Sequence, residues 1–181
     1  MPQAATTVQP PEVPAHEFRA IMFTDVAGSL RMAHRLGEDA AWRAVAHHYR
    51  VVRGLIPEFG GQEVKSLGDG MLITFDSVVP ALDAAVAIQR RTAHENAGED
   101  PPVSVRIGIA CGPVIVEGGD IFGVEVYLAN RVAEYADGGE INVTEAVRDL
   151  AGEVPYTLED LGPIALLGMR EMKRLFNVRW P

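Results

Sequence analysis

Apolar and polar positions change period along this chain, and the changes mark its elements. Phe18 to Val26, built on the run Ala20-Ile21-Met22-Phe23-Thr24, predicts a buried strand, stopped by Gly28-Ser29. A mixed segment follows to Leu36-Gly37. From Glu38 onward Ala41, Val45, His48, Val52 and Leu55 recur at three and four residues, predicting a helix that Pro57 and Gly60-Gly61 end. Val64 to Phe75 reads as an extended segment, a tight turn and a second strand, with Asp69-Gly70 as a two-residue hairpin turn. Pro80 opens a second helix, striped by Ala81, Leu82, Ala85, Val86 and Ile88 and ending among Asn96, Gly98 and Pro101-Pro102. Val103 to Ala110 is a strand, turned at Cys111-Gly112-Pro113 and continued by Val114 to Glu117.

After the Gly118-Gly119 loop, Asp120 to Gly123 leads into a third helix. Its expected buried stripe is Val124, Leu128, Val132 and Tyr135, while Tyr127 and Arg131, four apart, share a neighbouring face. Gly138-Gly139 ends it, Glu140 to Val143 is a short strand, and Thr144 caps a short helix running to Leu150. Tyr156 to Leu167 and Lys173 to Trp180 are closing strands around a Gly168-Met169-Arg170 turn. This order predicts an α+β domain: a mostly antiparallel sheet covered by helices, with a ferredoxin-like βαββαβ core. Strictly alternating strand and helix units would instead give a doubly wound parallel sheet, and the hairpin argues against that. Residues 18–181 are expected to form one domain. Residues 1–17, carrying Pro2, Pro10, Pro11 and Pro14, read as a flexible tail or linker.

Composition narrows the function classes. With 181 residues, 48% hydrophobic, the chain is long enough for one well-cored domain. A net charge of -9 argues against a general nucleic-acid binder and implies that an anionic ligand would come with metal ions. The single cysteine, Cys111, excludes an internal disulfide and reads as a small apolar filler. No run of about 18 apolar residues offers a membrane segment, so the expected compartment is the cytoplasm. His47 and His48 are poor metal ligands as a pair, since adjacent helical residues point about 100° apart.

Two carboxylates stand at strand ends, Asp25 after the first apolar run and Asp69 in the hairpin. Each alone reads as a cap or a turn residue. Together they suggest one site for Mg²⁺ or Mn²⁺, hard ions that take one or two carboxylates and fill their remaining positions with water and substrate phosphate.

Phe23-Thr24-Asp25-Val26-Ala27-Gly28-Ser29, Lys65-Ser66-Leu67-Gly68-Asp69-Gly70 and Asp120-Ile121-Phe122-Gly123, in that order, resemble the motifs of a class III nucleotidyl cyclase catalytic domain. The resemblance runs from about Phe18 to Val178. It implies an adenylate cyclase that makes 3′,5′-cyclic AMP and pyrophosphate from ATP. By motif, Asp25 and Asp69 would hold two metal ions, with the Val26 carbonyl near one of them. Lys65 and Asp120 would read the adenine edge, Arg131 would stabilise charge on the phosphates, and Tyr127 would stand where the family has a ribose-orienting asparagine. Leu167 occupies the place of a frequent phosphate-binding lysine, which leaves Arg170 or Lys173 as substitutes, and Leu30 replaces a frequent threonine. The resemblance also implies a head-to-tail homodimer, each site taking its metal aspartates from one subunit and its base-reading pair and arginine from the other. A catalytically weakened nucleotide-binding or regulatory module, and a guanylate cyclase, are the alternatives.

Overall fold

The computed structural model describes residues 14–96 and 102–181. Most of the expected tail, and Gly98 and Pro101 at the expected helix end, lie outside the described residues; His16 and Glu17 already belong to the first strand. In chain order the elements are β1 (His16–Val26), α1 (Ser29–Leu36), α2 (Glu38–Leu55), a 3₁₀ turn (Ile56–Phe59), β2 (Gln62–Leu67), β3 (Gly70–Phe75) and α3 (Val78–Glu95). They continue with β4 (Val105–Glu117), β5 (Asp120–Phe122), α4 (Val124–Tyr135), β6 (Ile141–Thr144), α5 (Glu145–Ala151), β7 (Thr157–Ile164) and β8 (Lys173–Arg179).

The sheet runs β2-β3-β1-β4-β6-β8-β7, with β5 added to β4. Every neighbouring pair is antiparallel except β4 and β6. The first four strands in space, β2-β3-β1-β4, with α2 and α3 as crossovers, are the expected ferredoxin-like core in an α+β sheet. Helices cover both faces. Met22, Ile73 and Ile107 pack with residues of α2, α3 and α5, whereas Ile21, Leu72 and Ala110 pack with Leu128 and Val132 of α4. Successive side chains on a strand point to opposite faces, so strands covered on both sides read as continuous apolar runs rather than as alternation.

Several local readings need correction. β4 runs through Cys111-Gly112-Pro113 without a turn, paired with β1 across Phe18↔Pro113 and Arg19↔Gly112. Pro113 falls between the stretch paired to β6 and the stretch paired to β5, where one edge of β4 is free and a missing N–H is tolerated. The segment after Gly28 is the separate helix α1, and Asp120 to Phe122, expected only to lead into the third helix, is a short strand. α3 starts at Val78, two residues before Pro80. In α4 the buried residues are Leu128, Ala129, Val132 and Ala133, while Val124 and Tyr135 are exposed at its two ends.

One close approach fixes α4. A Cβ on Gly108 would come within 2.1 Å of the Ala133 nitrogen, so only glycine lets the helix lie this near β4. That packing sets the height at which Tyr127, Asn130 and Arg131 stand over the sheet.

Candidate active site

Asp25 is the penultimate residue of β1 and pairs across the ladder with Gly70 of β3 on one side and Arg106 of β4 on the other. The β2–β3 turn is Gly68-Asp69, with Leu67↔Gly70 as the closing pair and Gly68 at φ 68°, one residue earlier than the expected Asp69-Gly70 turn. A glycine at the first central position of a two-residue hairpin is the primed-turn solution, and it leaves Asp69 at the tip. Gly70 is required for a different reason. A Cβ there would sit 2.5 Å from the Thr24 carbonyl, so its absence lets the hairpin lie against the end of β1.

The two acids therefore meet. They line one cleft of about 200 Å³ with Phe23, Thr24, Leu67, Arg106, Asn130 and Glu134. Burial pushes the Asp25 carboxyl above the usual carboxylate range; hydrogen bonds from Arg106 oppose the rise, and the adjoining Asp69 carboxylate adds to it. Arg106 Nε donates to Asp25 Oδ2 at 2.8 Å and its Nη2 donates to the same oxygen. Asp25 Oδ1 is buried without a partner. The Ser29 hydroxyl donates to Asp69 Oδ2, which ties the start of α1 to the hairpin tip.

Among the described residues no three His, Cys, Asp or Glu side chains form a metal cage. Two carboxylates with one buried oxygen unsatisfied do fit a hard divalent ion that completes its shell with water and phosphate. Val26, at the end of β1, has its side chain in the core and faces Val105 across the ladder.

Behind the acids lies His48, fully buried, its Nε2 2.9 Å from the Thr24 hydroxyl. Burial pushes it down to about 4, so it is neutral, and its place in the core against Thr24 makes it a structural residue. Cys111 is buried and its thiol is pushed up to about 11, chiefly by burial, in keeping with a filler.

The remaining candidates occupy two adjoining hollows. Lys65 Nζ on β2 donates to Asp120 Oδ2 on β5 at 2.6 Å, and that bond holds the Asp120 carboxyl below its usual range. Lys65 lines a hollow of about 290 Å³ whose walls include Phe23, Leu72, Ile121, Phe122, Tyr127 and Asn130. Tyr127 and Arg131, on one face of α4 as expected, line a third hollow of about 570 Å³ with Leu167, Arg170 and Lys173 from the β7–β8 turn region. Tyr127 is 67% exposed and Leu167 77%. Arg131 pairs with Glu134 one turn on. Neither Lys65 nor Arg131 lines the acid cleft.

Arg106, Asn130 and Glu134 escaped the sequence reading, and Ser29 entered it only as part of a motif. Arg106 carries no motif, and only the β1–β4 register places it opposite Asp25; Asn130 and Glu134 reach the cleft because α4 packs so closely on β4.

Residues 12–178 match the adenylate and guanylate cyclase catalytic domain family. An adenylate cyclase of Streptomyces coelicolor is 32% identical over 127 residues, 70% of this chain and 32% of that protein. A pH-sensitive adenylate cyclase of Mycobacterium tuberculosis is 28% identical over 166 residues, 88% of this chain and 40% of the relative. The chain spans 19% to 40% of the length of the first curated relatives it matches. Among solved structures, an adenylate/guanylate cyclase/hydrolase from Silicibacter pomeroyi superposes with a TM-score of 0.83 at 30% identity, covering 92% of this chain and 98% of that one.

Proposed function

The chain belongs to the adenylate and guanylate cyclase catalytic domain family, and from that premise we propose that it converts ATP to 3′,5′-cyclic AMP and pyrophosphate. The observation that carries this reading is the meeting of Asp25 and Asp69 in one cleft with Asp25 Oδ1 left unsatisfied. Asp25 and Asp69, with the Val26 carbonyl, would hold Mg²⁺ or Mn²⁺, two ions per site. Bound there, the metal would lower the pKa of the attacking hydroxyl and neutralise charge on the pyrophosphate leaving group.

The chain's own side chains do the positioning. Lys65 donates to the adenine N1 acceptor and Asp120 accepts from the N6 amino group; guanine presents the opposite pattern at both atoms. The 2.6 Å contact between this lysine and aspartate supports a shared base-reading pair and favours ATP over GTP. Arg131 supplies a fixed guanidinium fork for charge developing on the phosphates as the ribose 3′-oxygen bonds to the α-phosphorus and the bond to pyrophosphate breaks. Arg170, beside it in the same hollow, takes the terminal phosphates in place of the lysine that Leu167 replaces.

Residues of the acid cleft and Arg131 line different hollows of one chain, which supports a head-to-tail homodimer in which each site is completed by the second copy. Among the described residues no helix is long and apolar enough to cross a membrane. Residues 18–181 form the catalytic domain in this reading.

The test is product formation from ATP or GTP with Mn²⁺, beside an Asp25→Ala control. Cyclic AMP formed from ATP in preference to GTP, and lost in the control, is expected. Equal use of GTP would overturn the base assignment. Nucleotide binding without turnover would favour a regulatory module, the reading that exposed Tyr127 and Leu167 support.

A further inference from the structure

Two consecutive residues of α2 reach the two acid-bearing segments. His48 meets the Thr24 hydroxyl, next to Asp25, and the Tyr49 hydroxyl donates at 2.6 Å to the Gly68 carbonyl, next to Asp69. Adjacent helical side chains diverge by about 100°, which lets one helix serve a strand and a turn at once. Tyr49 is itself held. The Arg53 guanidinium lies 4.9 Å from its ring centroid, and Arg53 donates twice at 2.7 Å to Glu63, near the start of β2. α2 therefore grips β2 near its start and at the turn that ends it.

The carbonyl that Tyr49 holds decides which turn this is. Gly68-Asp69 is compatible with both primed turns, since glycine takes positive φ freely and aspartate tolerates it. Type I′ needs positive φ at both central residues and type II′ at the first alone. Between the two the central peptide turns over, and its carbonyl here is that of Gly68. Gly68 has φ 68°, and no described residue other than glycine, Asp69 included, has positive φ, so the turn is type II′. Resting on the reading of Asp25 and Asp69 as the metal-holding pair, we propose that Tyr49 is a positioning residue whose hydroxyl latches the Gly68–Asp69 peptide in the type II′ form and so aims the Asp69 carboxylate toward Asp25. In type I′ the Gly68 carbonyl leaves the phenol, φ reverses at Asp69, and the carboxylate swings off the Ser29 hydroxyl that holds it here. Tyr49 does not line the acid cleft, so it acts on a bound ion only through Asp69.

The test is a pair of readouts on the full chain, for wild type, Tyr49→Phe, Gly68→Asn and Asp25→Asn. In a type II′ turn the Gly68 α-protons lie close to the Asp69 amide proton and give a strong nuclear Overhauser effect; in type I′ the two amide protons approach each other instead. Mn²⁺ affinity without nucleotide is read by the loss of the free-ion electron paramagnetic resonance signal. Tyr49→Phe keeps the ring beside Arg53 and loses only the donor. The amide–amide effect is expected to appear, and Mn²⁺ to bind roughly threefold to tenfold more weakly, since a share of the chains then holds the other turn. Gly68→Asn favours type I′, because asparagine accepts the left-handed region, whereas the first position of type II′ lies close to glycine-only backbone. It is expected to show the amide–amide effect with Tyr49 in place and to bind Mn²⁺ at least as weakly as Tyr49→Phe. A hydroxyl that merely adds stability lowers the melting temperature of Tyr49→Phe and leaves both readouts as in wild type, a result that overturns the proposal. Wild-type Mn²⁺ affinity in a Gly68→Asn chain bearing the type I′ signature overturns it as well, and decides alone should Tyr49→Phe fail to fold. Wild-type Mn²⁺ binding that Asp25→Asn abolishes leaves the metal reading standing in either event. No binding by wild type overturns that reading, and the turn signature then decides the latch.

Discussion

At the scale of single residues, Tyr127 is the one expected to limit the rate of the proposed reaction. In the proposed reaction it would stand where the family resemblance implies a ribose-orienting asparagine, and its ring lies exposed at the wall shared by the Lys65 hollow and the Arg131 hollow. A phenol is too long to take the same hydrogen bond from the same Cα, and a lost donor to a developing charge costs on the order of 10²-fold in rate. Tyr127→Asn is therefore expected to raise kcat for ATP by about tenfold or more, measured as cyclic AMP released at saturating ATP; an unchanged or lower kcat would show that the tyrosine is not a handicap. His48 makes a prediction of a different kind. Its folded value of about 4 lies below its ordinary 6.5, so the unfolded chain binds the extra proton first as pH falls. Stability contributed by neutral His48 is complete above pH 6.5 and is lost as pH falls toward 4. Between pH 6.5 and 5 the loss should be about 2 kcal/mol, and His48→Gln, which cannot titrate, should flatten it in urea titrations at the two pH values. An equally steep slope in the variant would remove His48 from the cause.

At the scale of elements, the hairpin between β2 and β3 does most to build the site. Its turn glycine gives Asp69 the tip, and Gly70 lets that tip close on β1. Gly70→Ala forces a Cβ to 2.5 Å from the Thr24 carbonyl, so the hairpin must back away. A stability loss of about 1–3 kcal/mol is expected from such overpacking, along with a larger, separate loss of Mn²⁺ binding because Asp69 moves from Asp25. Retained Mn²⁺ binding in that variant would mean the close approach is not what joins the acids. The elements themselves were largely legible in the sequence. Val64 to Phe75 announced a hairpin through its glycines, and the three-and-four spacing of Ala41 to Leu55 announced α2. What was misread has local causes. Cys111-Gly112-Pro113 looks like a turn, yet Gly112 is held in β4 between β1 and a free edge, and Val124 and Tyr135 keep helical phase with the buried stripe but stand exposed as the first and last residues of α4. Arg106 was invisible because its meaning comes from register, which one strand's sequence does not carry.

At the scale of the whole molecule, one chain presents two dissimilar half-sites. The acid cleft sits at the end of β1 and the hairpin, while Arg131 and Arg170 line a hollow beyond the Lys65–Asp120 pair. Tight folding of both half-sites into one chain does not itself bring them onto one triphosphate; in the proposed homodimer a second copy turned head to tail would. Two copies then give two sites, each drawing on both chains, as the isologous geometry of a two-fold dimer requires. The most direct measurement is complementation between two inactive variants. Asp25→Ala and Arg131→Ala, each purified and each assayed alone with ATP and Mn²⁺, are expected to yield almost no cyclic AMP. Mixed in equal amounts, they should regain roughly a quarter of wild-type activity, since half of the dimers would be mixed and each of those would hold one intact site of two. A mixture no more active than its components, with the mixed dimer shown to form, would contradict a site shared between copies.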